Sequence, residues 1–204
     1  MELYDTEEQQ VEAIKDWWKE NGKAVIIGAV VGLGGLFGWR YYQDSVIQAS
    51  EAASQSYTTA ISALQEKGVD AQAEVQAFID SSEVKEYSVL AALQLAKSQV
   101  EAQDLSAALE QLKWAQSSTK DAALSPLISY RIARIEAELG NFDAATSELN
   151  KVTDAAWNGR IAELRGDIAL RQGDEDAAYA AYTEAQQATD ASPTLQMKLD
   201  DLAK

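Results

Sequence analysis

The chain has 204 residues, 47% of them hydrophobic and 25% charged, a balance typical of a globular domain with room for an additional segment. Its 33 acidic and 17 basic residues give a net charge of −16, so binding to nucleic acid or to an anionic membrane surface is not expected. Cysteine and histidine are both absent, which excludes disulfides, thiolate chemistry, histidine-based catalysis and the usual zinc ligands.

An enzyme with this composition would depend on carboxylates or lysine alone. The acidic residues follow helical patterns, and a run such as residues 174–176 is typical of a solvated helix start. We therefore predict a protein that is not an enzyme and that needs no metal or other cofactor.

Residues 1–21 are predicted to form a cytoplasmic amphipathic helix. Its large apolar residues recur at helical spacing: Val11, Ile14, Trp17 and Trp18. Thr6 precedes a Glu-Glu start, and Asn21 and Gly22 indicate a break before the next element. Two arrangements fit this pattern: a helix lying in the membrane interface with its aromatic face on lipid, or a helix that docks on another protein.

Residues 22–42 are predicted to form a transmembrane helix. Residues 24–39 carry no charge, and a helix of 21 residues is about 32 Å long, which matches the hydrocarbon core of a bilayer. Lys23 and Arg40 flank the uncharged run. Aromatic residues lie at both ends as interfacial belts: Trp17, Trp18, Trp39, Tyr41 and Tyr42. A buried core helix does not explain this flanking, and in a soluble helix each glycine would cost about 1 kcal/mol relative to alanine.

The glycine-rich run GAVVGLGGLFGW, residues 28–39, is not a phosphate-binding loop, because it lacks a Gly-Lys-Ser/Thr ending and no strand precedes it. Its small residues instead form two faces suited to packing against other membrane helices. These residues are Ala24, Gly28, Gly32 and Gly35 on one face, and Gly34 and Gly38 on the other. The alternative is that the glycines are merely tolerated in an anchor surrounded by membrane lipid.

The distribution of basic residues predicts the orientation of this helix. Lys15, Lys19 and Lys23 precede the apolar run, whereas only Arg40 follows it before Lys67. The positive-inside rule therefore places the N-terminus in the cytoplasm and residues from about 43 onward outside it, in a single-pass type II topology. A cleaved signal peptide is the competing interpretation, but the long acidic segment before the run and the bulky residues after it fit cleavage badly.

Residues 43–204 are predicted to be all-α and built from repeats. Small residues recur in sets with internal spacings of 12 and 7 residues: Ala96, Ala108 and Ala115; Ala133, Ala145 and Val152; Gly166, Ala178 and Ala185. This spacing resembles the tetratricopeptide pattern, in which small residues let two antiparallel helices approach closely. We therefore expect an α-solenoid of degenerate tetratricopeptide-like repeats. The alternative is a chance match in an alanine-rich chain.

Other positions agree with this pattern only in part. Larger residues recur around the second small residue of each set: Leu105 and Phe142 before it, and Leu112, Leu149 and Tyr182 after it. Gly140 and Gly173, followed by Asn141 and Asp174, supply turns between paired helices. Glu175 replaces a usual aromatic residue or leucine, and three further residues replace the pattern's common tyrosine: Gln99, Glu136 and Ala169.

The segments on either side of the repeats are also expected to be helical. Residues 45–66 are predicted to continue as a helix from the membrane segment, and residues 70–79 to form a shorter helix after a break at Gly68. Whether these segments form a divergent first repeat stays open. Residues 192–202 are predicted to form a capping helix with its leucines inward: Leu195, Leu199 and Leu202.

Stacked helix pairs form a superhelix whose first helices line a concave face. In the tetratricopeptide register, the residues on that face are Leu90, Leu93, Lys97, Val100, Leu127, Tyr130, Arg134, Arg160, Glu163, Asp167 and Arg171. The face changes from apolar to charged along its length, which suits an extended or helical polypeptide better than a small molecule. The alternative is that several of these side chains are packed or merely solvated.

Four short segments, together with the repeats, resemble the YfgM family of ancillary subunits of the bacterial Sec translocon. These segments are Gln10-Val-Glu, Glu20-Asn-Gly-Lys, the glycine-rich run and Gly38-Trp-Arg-Tyr. The resemblance covers essentially the full chain and is most specific at residues 10–42. It implies a single-pass protein of a Gram-negative inner membrane with a periplasmic tetratricopeptide-like domain. It also implies two partners, the SecYEG channel and the membrane-anchored periplasmic chaperone PpiD, and no catalytic motif.

Three hypotheses about function follow. The resemblance implies a scaffold that links emerging secretory chains to periplasmic chaperones. It also implies an alternative, a regulatory membrane anchor that acts through its cytoplasmic N-terminal helix on a stress-response regulator. A third hypothesis, an enzyme using carboxylates such as Glu163 and Asp167, would require a cluster of acids on the concave face.

Overall fold

The structure is a computed structural model that describes residues 7–202, and no β-strand occurs in this part of the chain. Its α-helices, in chain order, are α1 (Glu7–Lys67), α2 (Gln72–Ser81), α3 (Lys85–Glu101), α4 (Leu105–Ser118), α5 (Leu124–Glu138), α6 (Phe142–Leu149), α7 (Asn158–Arg171), α8 (Glu175–Gln186) and α9 (Leu195–Leu202). Short 3-10 helices, Gly68–Ala71 and Ala155–Trp157, precede α2 and α7. The chain divides between Ala52 and Ala53 into two compact units, and α1 contributes residues to both.

The predicted break at Asn21 and Gly22 is wrong, because α1 runs through both residues without interruption. The Asn21 side chain donates a hydrogen bond to the Trp17 carbonyl, 3.0 Å away, one helical turn earlier. The indole of Trp18 covers Gly22, which is buried beneath it. These local contacts offset the low helix propensity of glycine. Thr6, the predicted start signal, lies outside the described residues.

The glycine-rich part of α1 is the candidate membrane span. Among the described residues, α1 is the only helix long and apolar enough to cross a bilayer, and only 6% of its most apolar stretch is buried within the protein. Large apolar side chains are exposed all around it, including Ile27, Val31 and Phe37. A core helix of a soluble domain would bury such side chains, so this pattern excludes that interpretation.

The second unit contains the predicted helix pairs α3–α4, α5–α6 and α7–α8. All of the small residues that defined the repeats are buried: Ala96, Ala108, Ala115, Ala133, Ala145, Val152, Gly166, Ala178 and Ala185. Because these side chains are small, the backbones of the two helices in each pair can approach each other closely. The predicted fold class is therefore confirmed, and a chance match to the spacing is excluded.

Each pair turns through the same hydrogen-bonded motif at the end of its first helix. Gly140 and Gly173 adopt φ angles of +80° and +83°, as the turn prediction requires. In the first pair Gln103 takes this role at φ +63°, a conformation that is uncommon for a residue with a side chain. In all three turns the backbone N–H of the next residue (Asp104, Asn141 or Asp174) donates a hydrogen bond to the helix carbonyl five residues earlier, at 2.8–2.9 Å. This is the Schellman arrangement.

The apolar core is made of three clusters that follow one another along the repeats. The first includes Ala60 and Leu64 of α1 with residues of α2 to α5, the second joins α5, α6 and α7, and the third joins α7, α8 and α9. The end of α1 and the whole of α2 therefore cover one end of the repeat stack. The predicted capping helix is confirmed at the other end, where Leu195 and Leu199 are buried, although α9 begins at Leu195 rather than at residue 192.

Helices α7 and α8 approach each other closely at Gly166. Tyr182 of α8 is 1% exposed and its ring lies against the backbone of Gly166 on α7. A methyl group on Gly166 would overlap ring atoms Cδ1 and Cε1 of Tyr182. Gly166 lies inside a helix, so glycine is required there by the packing of the Tyr182 ring and not by a turn.

Gly166→Ala is expected to destabilise the repeat unit. Alanine would gain about 1 kcal/mol from helix propensity, but the overlap with the buried Tyr182 ring places the packing cost in the upper part of the usual range of about 1–3 kcal/mol, so we expect a net loss of about 1–2 kcal/mol. Urea unfolding of the full chain in detergent, followed by far-ultraviolet circular dichroism, measures it. In the Tyr182→Leu background most of the added cost should disappear. Equal costs in both backgrounds would contradict the contact.

Candidate functional site

The predicted binding-face residues lie on α3, α5 and α7, the first helices of the three pairs. We call the surface formed by these helices the first-helix face. Its predicted members differ in exposure: Leu93 is buried, Leu90, Leu127, Tyr130, Glu163 and Asp167 are half-buried, and Lys97, Val100, Arg134, Arg160 and Arg171 are exposed. That this face binds a partner stays a prediction.

Four of these residues meet in a groove between α3 and α5. The groove has a volume of about 380 Å³ and is lined by Leu93, Ala96, Lys97, Val100, Glu101, Leu105, Leu112, Arg131, Arg134, Ile135 and Glu138. We call it the α3–α5 groove. Leu93, although only 5% exposed and part of the core, contributes to its floor. The groove combines an apolar interior with charged side chains on both walls.

Arg131 is a groove residue that the sequence analysis missed. It is half-buried, and burial together with the neighbouring Arg134 lowers the pKa of its guanidinium below the usual value. The signal was available, because Arg131 follows Leu127 by four residues on the same helix and so lies on the same face. The tetratricopeptide register selected Leu127, Tyr130 and Arg134 on this helix and left out Arg131.

A second group of side chains forms where α5 meets the start of α7. The rings of Tyr130 and Trp157 are 5.6 Å apart, and the Arg160 guanidinium lies 5.0 Å from the Trp157 ring. Burial raises the pKa of Tyr130 above its usual value. Trp157 was not predicted, because it belongs to a 3-10 helix between repeats, outside the repeat pattern.

Arg171, predicted as a binding residue, is used to hold two repeats together. Its guanidinium donates to the Ala137 carbonyl, 3.0 Å away, and to the Glu138 carboxylate, both at the end of α5. The hydrogen bond to Glu138 raises the pKa of Arg171 above its usual value. Because its donors are engaged, Arg171 fixes the spacing of α5 and α7.

Glu163 and Asp167 lie close together but share one cation. The Lys198 ammonium, from the capping helix α9, is 2.8 Å from Glu163 and 2.6 Å from Asp167. The Tyr182 hydroxyl donates a further hydrogen bond to Asp167 at 2.7 Å. The pair therefore anchors α9 to α7, which gives these carboxylates a structural role. Across residues 7–202, no cluster of His, Cys, Asp or Glu side chains is arranged to hold a metal ion.

The small-residue faces of the candidate membrane span are bare. A Cβ atom added at Gly28, Gly32, Gly34, Gly35 or Gly38 would meet no atom within 4 Å beyond its chain neighbours and the adjacent helix backbone, and Ala24 is exposed. No side chain of the described part of this unit lies against these glycine positions. Their use as contacts for other membrane helices stays a prediction.

Comparison with known proteins relates the whole chain to one group. A family model described as a tetratricopeptide repeat-like domain matches residues 15–204. A Haemophilus influenzae protein named ancillary SecYEG translocon subunit is 38% identical over 181 residues, 89% of each chain. The Escherichia coli protein of that name is 35% identical over 100% of both chains. A Neisseria gonorrhoeae protein of that name is 25% identical over 96% of this chain and 97% of its own.

Lys198→Met is expected to lower the free energy of unfolding at pH 7 by about 1–3 kcal/mol, because two neighbouring carboxylates lose their shared hydrogen-bond donor. Burial opposes the charge on Lys198, but the hydrogen bonds to Asp167 and Glu163 outweigh it and raise its pKa. The ammonium's contribution is therefore complete below the unfolded-state pKa of about 10.4 and is lost as pH rises through the higher folded value.

The difference between wild type and Lys198→Met should accordingly be equal at pH 7 and pH 9, measured by urea unfolding. Lys97→Met is the matched control, because its ion pair with Glu101 spans 3.7 Å and both side chains are largely exposed. That substitution should cost no more than about 0.5 kcal/mol. Equal effects of the two substitutions would contradict an anchoring role for Lys198.

Proposed function

Because the chain belongs to the tetratricopeptide-like family of ancillary SecYEG translocon subunits, a non-enzymatic family, we propose that it is itself a membrane-anchored ancillary subunit of the Sec translocon. The observation that carries this proposal is the full-length relationship to the Escherichia coli protein of that name, which covers 100% of both chains. The relationship includes the candidate membrane span as well as the repeats. We therefore propose SecYEG, the partner in that name, as a partner of this protein.

The proposal places α1 across the bacterial inner membrane with its N-terminus in the cytoplasm. Lys15, Lys19 and Lys23 on one side of the span, against Arg40 on the other, support this orientation. The repeat unit then lies in the periplasm, where translocated chains emerge. Its first-helix face provides a surface of helical repeats, a type of surface suited to binding polypeptides.

The finer part of the proposal is a link to periplasmic chaperones. The resemblance to the YfgM family points to PpiD as the chaperone partner, with secretory client chains bound at the first-helix face. Exposed Val100 and Arg134 and half-buried Tyr130 support polypeptide binding, since they offer apolar and charged groups on one surface. The protein contributes binding and positioning in this proposal, and no chemistry.

Purification of the tagged full chain in mild detergent, followed by identification of the co-purifying proteins, tests the association. We expect SecYEG subunits and PpiD to be recovered. Gly32→Leu should leave membrane insertion intact but reduce recovery of SecYEG several-fold, because a leucine side chain would keep another helix away from the bare small-residue face.

Ala29→Leu is the matched control for this substitution. It adds a similar volume to the same exposed stretch of α1 but lies outside both small-residue faces. Recovery of SecYEG with Ala29→Leu should equal that of wild type. Equal recovery of SecYEG with wild type and with Gly32→Leu would show that the glycine-rich run anchors the protein in the membrane without contacting SecYEG. Absence of SecYEG with a tagged protein shown to be functional would overturn the proposed association itself.

A second candidate function is supported by the exposed apolar side chains of the N-terminal part of α1. Ile14 is 67% exposed and Trp17 is 54% exposed. The continuity of α1 through Gly22 into the candidate span supports a docking role for this stretch over a separate interfacial helix. Such a stretch suits docking of a cytoplasmic protein, as a regulatory anchor for a stress-response regulator would require.

The double substitution Ile14→Ser and Trp17→Ser tests this second function without removing the lysines that set the orientation. Loss of apolar contact should abolish any effect of the protein on a stress-response reporter, while SecYEG recovery stays at the wild-type level. Ser45→Ala, an exposed position beyond the apolar run, is the control. An unchanged reporter response in the double variant would reject the regulatory function.

A further inference from the structure

The α3–α5 groove contains two cations that have no partner among the described residues. Arg131 and Arg134 line it side by side, three residues apart on α5. Within residues 7–202 neither guanidinium takes part in a hydrogen bond or an ion pair. Unpartnered arginine side chains are notable in this chain, because it has 33 acidic residues and only 17 basic ones.

The acidic side chains that line the same groove are already engaged. Glu101 pairs with Lys97 at 3.7 Å, and Glu138 accepts a hydrogen bond from Arg171. Among the described residues, neither carboxylate forms an ion pair with Arg131 or Arg134. Like charges three residues apart on a helix are mildly destabilising, so the pair does not serve the stability of α5.

The interior of the groove is apolar. Ala96, Leu105, Leu112 and Ile135 line it below the charged side chains, and Val100 is 40% exposed at its wall. The volume of about 380 Å³ is near the low end of the ~300–1,000 Å³ typical of ligand pockets. It is therefore large enough for one or two side chains of a bound segment and too small for a folded domain.

We propose that the α3–α5 groove binds an extended segment of a partner polypeptide in which acidic and apolar residues alternate. An apolar side chain enters the groove over Ala96 and Leu112, and flanking carboxylates bind Arg131 and Arg134. Arginine suits this role because its planar guanidinium binds a carboxylate through two parallel hydrogen bonds. The inference rests on the proposed function, which makes the partner a polypeptide.

The positions of the cations favour acidic side chains within a segment over a single chain terminus. The two arginines lie three residues apart on α5, whereas Lys97 of α3 already pairs with Glu101. A chain terminus offers a single carboxylate, whereas a segment offers one carboxylate to each arginine. In a strand-like segment successive side chains point in opposite directions, so an apolar side chain directed at the floor leaves its two flanking carboxylates on the opposite face, toward the mouth of the groove where the exposed Arg134 lies.

Binding of a fluorescein-labelled peptide with a C-terminal amide and the repeating sequence Glu-Leu tests the proposal. It is titrated with the full chain in detergent micelles and followed by fluorescence anisotropy, with empty micelles as the blank. We expect saturable binding that weakens as salt is added. Lys-Leu and Glu-Ser peptides should bind at least about tenfold more weakly, since each lacks one of the two required features.

Substitutions in the protein locate the site. Arg131→Gln and Arg134→Gln should each weaken binding of the Glu-Leu peptide by about tenfold or more, and Val100→Ser should weaken it less. Lys120→Gln, which removes one exposed charge outside the groove, should leave binding unchanged. Circular dichroism melting curves identify any variant that is misfolded, and the exposed Arg134 provides a test that does not disturb the core.

Equal binding of the Glu-Leu and Lys-Leu peptides would overturn the inference, and so would equal binding by wild type and both arginine variants. Binding only of peptides with a free C-terminal carboxylate would overturn it in favour of a terminus-specific site. Failure of peptide binding with normal recovery of SecYEG would refute the groove assignment alone. Loss of SecYEG recovery with intact peptide binding would refute the proposed translocon association alone.

Discussion

The close approach of paired helices at small side chains is the constraint on which the repeat unit depends. Ala108, Ala115, Ala133 and Ala145 are each fully buried where one helix meets another. Alanine and glycine contribute little apolar area of their own, but they let the larger neighbours on both helices make contact. Gly166 is the extreme case, since the space of its missing side chain is filled by the Tyr182 ring.

Polar residues at the same helix ends show how degenerate repeats are accommodated. Glu136 replaces the usual tyrosine, is 4% exposed, and accepts hydrogen bonds from Lys113 and Asn141 at 2.8 Å. Burial favours the neutral acid, but these hydrogen bonds outweigh it and lower the pKa of Glu136. The Asn141 side chain makes no capping hydrogen bond to α6, whereas Asp104 and Asp174 cap α4 and α8. The Asn141 amide instead helps to satisfy a buried charge.

The sequence allowed the helix pairs, the turns at Gly140 and Gly173 and the capping helix to be predicted, because each depends on spacing along the chain. The resemblance to the YfgM family is confirmed. It could be recognised from the sequence because the segments that carry it are short runs of adjacent residues. Side chains that meet across repeats were not accessible to this reasoning. Lys198 reaches Glu163 and Asp167 from more than thirty residues away, and Trp157 lies outside the repeat pattern. The break predicted at Gly22 failed because helix propensity ignores the covering indole of Trp18.

The net charge of the chain and the charges in the α3–α5 groove act on an acidic polypeptide in opposite directions and at different distances. A net charge of −16 repels an acidic polypeptide at a distance. At physiological ionic strength that repulsion is screened beyond about 8 Å, so a segment that reaches the first-helix face experiences mainly the nearest groups. In the α3–α5 groove those groups are Lys97, Arg131 and Arg134, whose hydrogen-bond donors act at short range over an apolar floor. The overall charge thus disfavours nonspecific adhesion of acidic chains, while the groove retains those able to fill it.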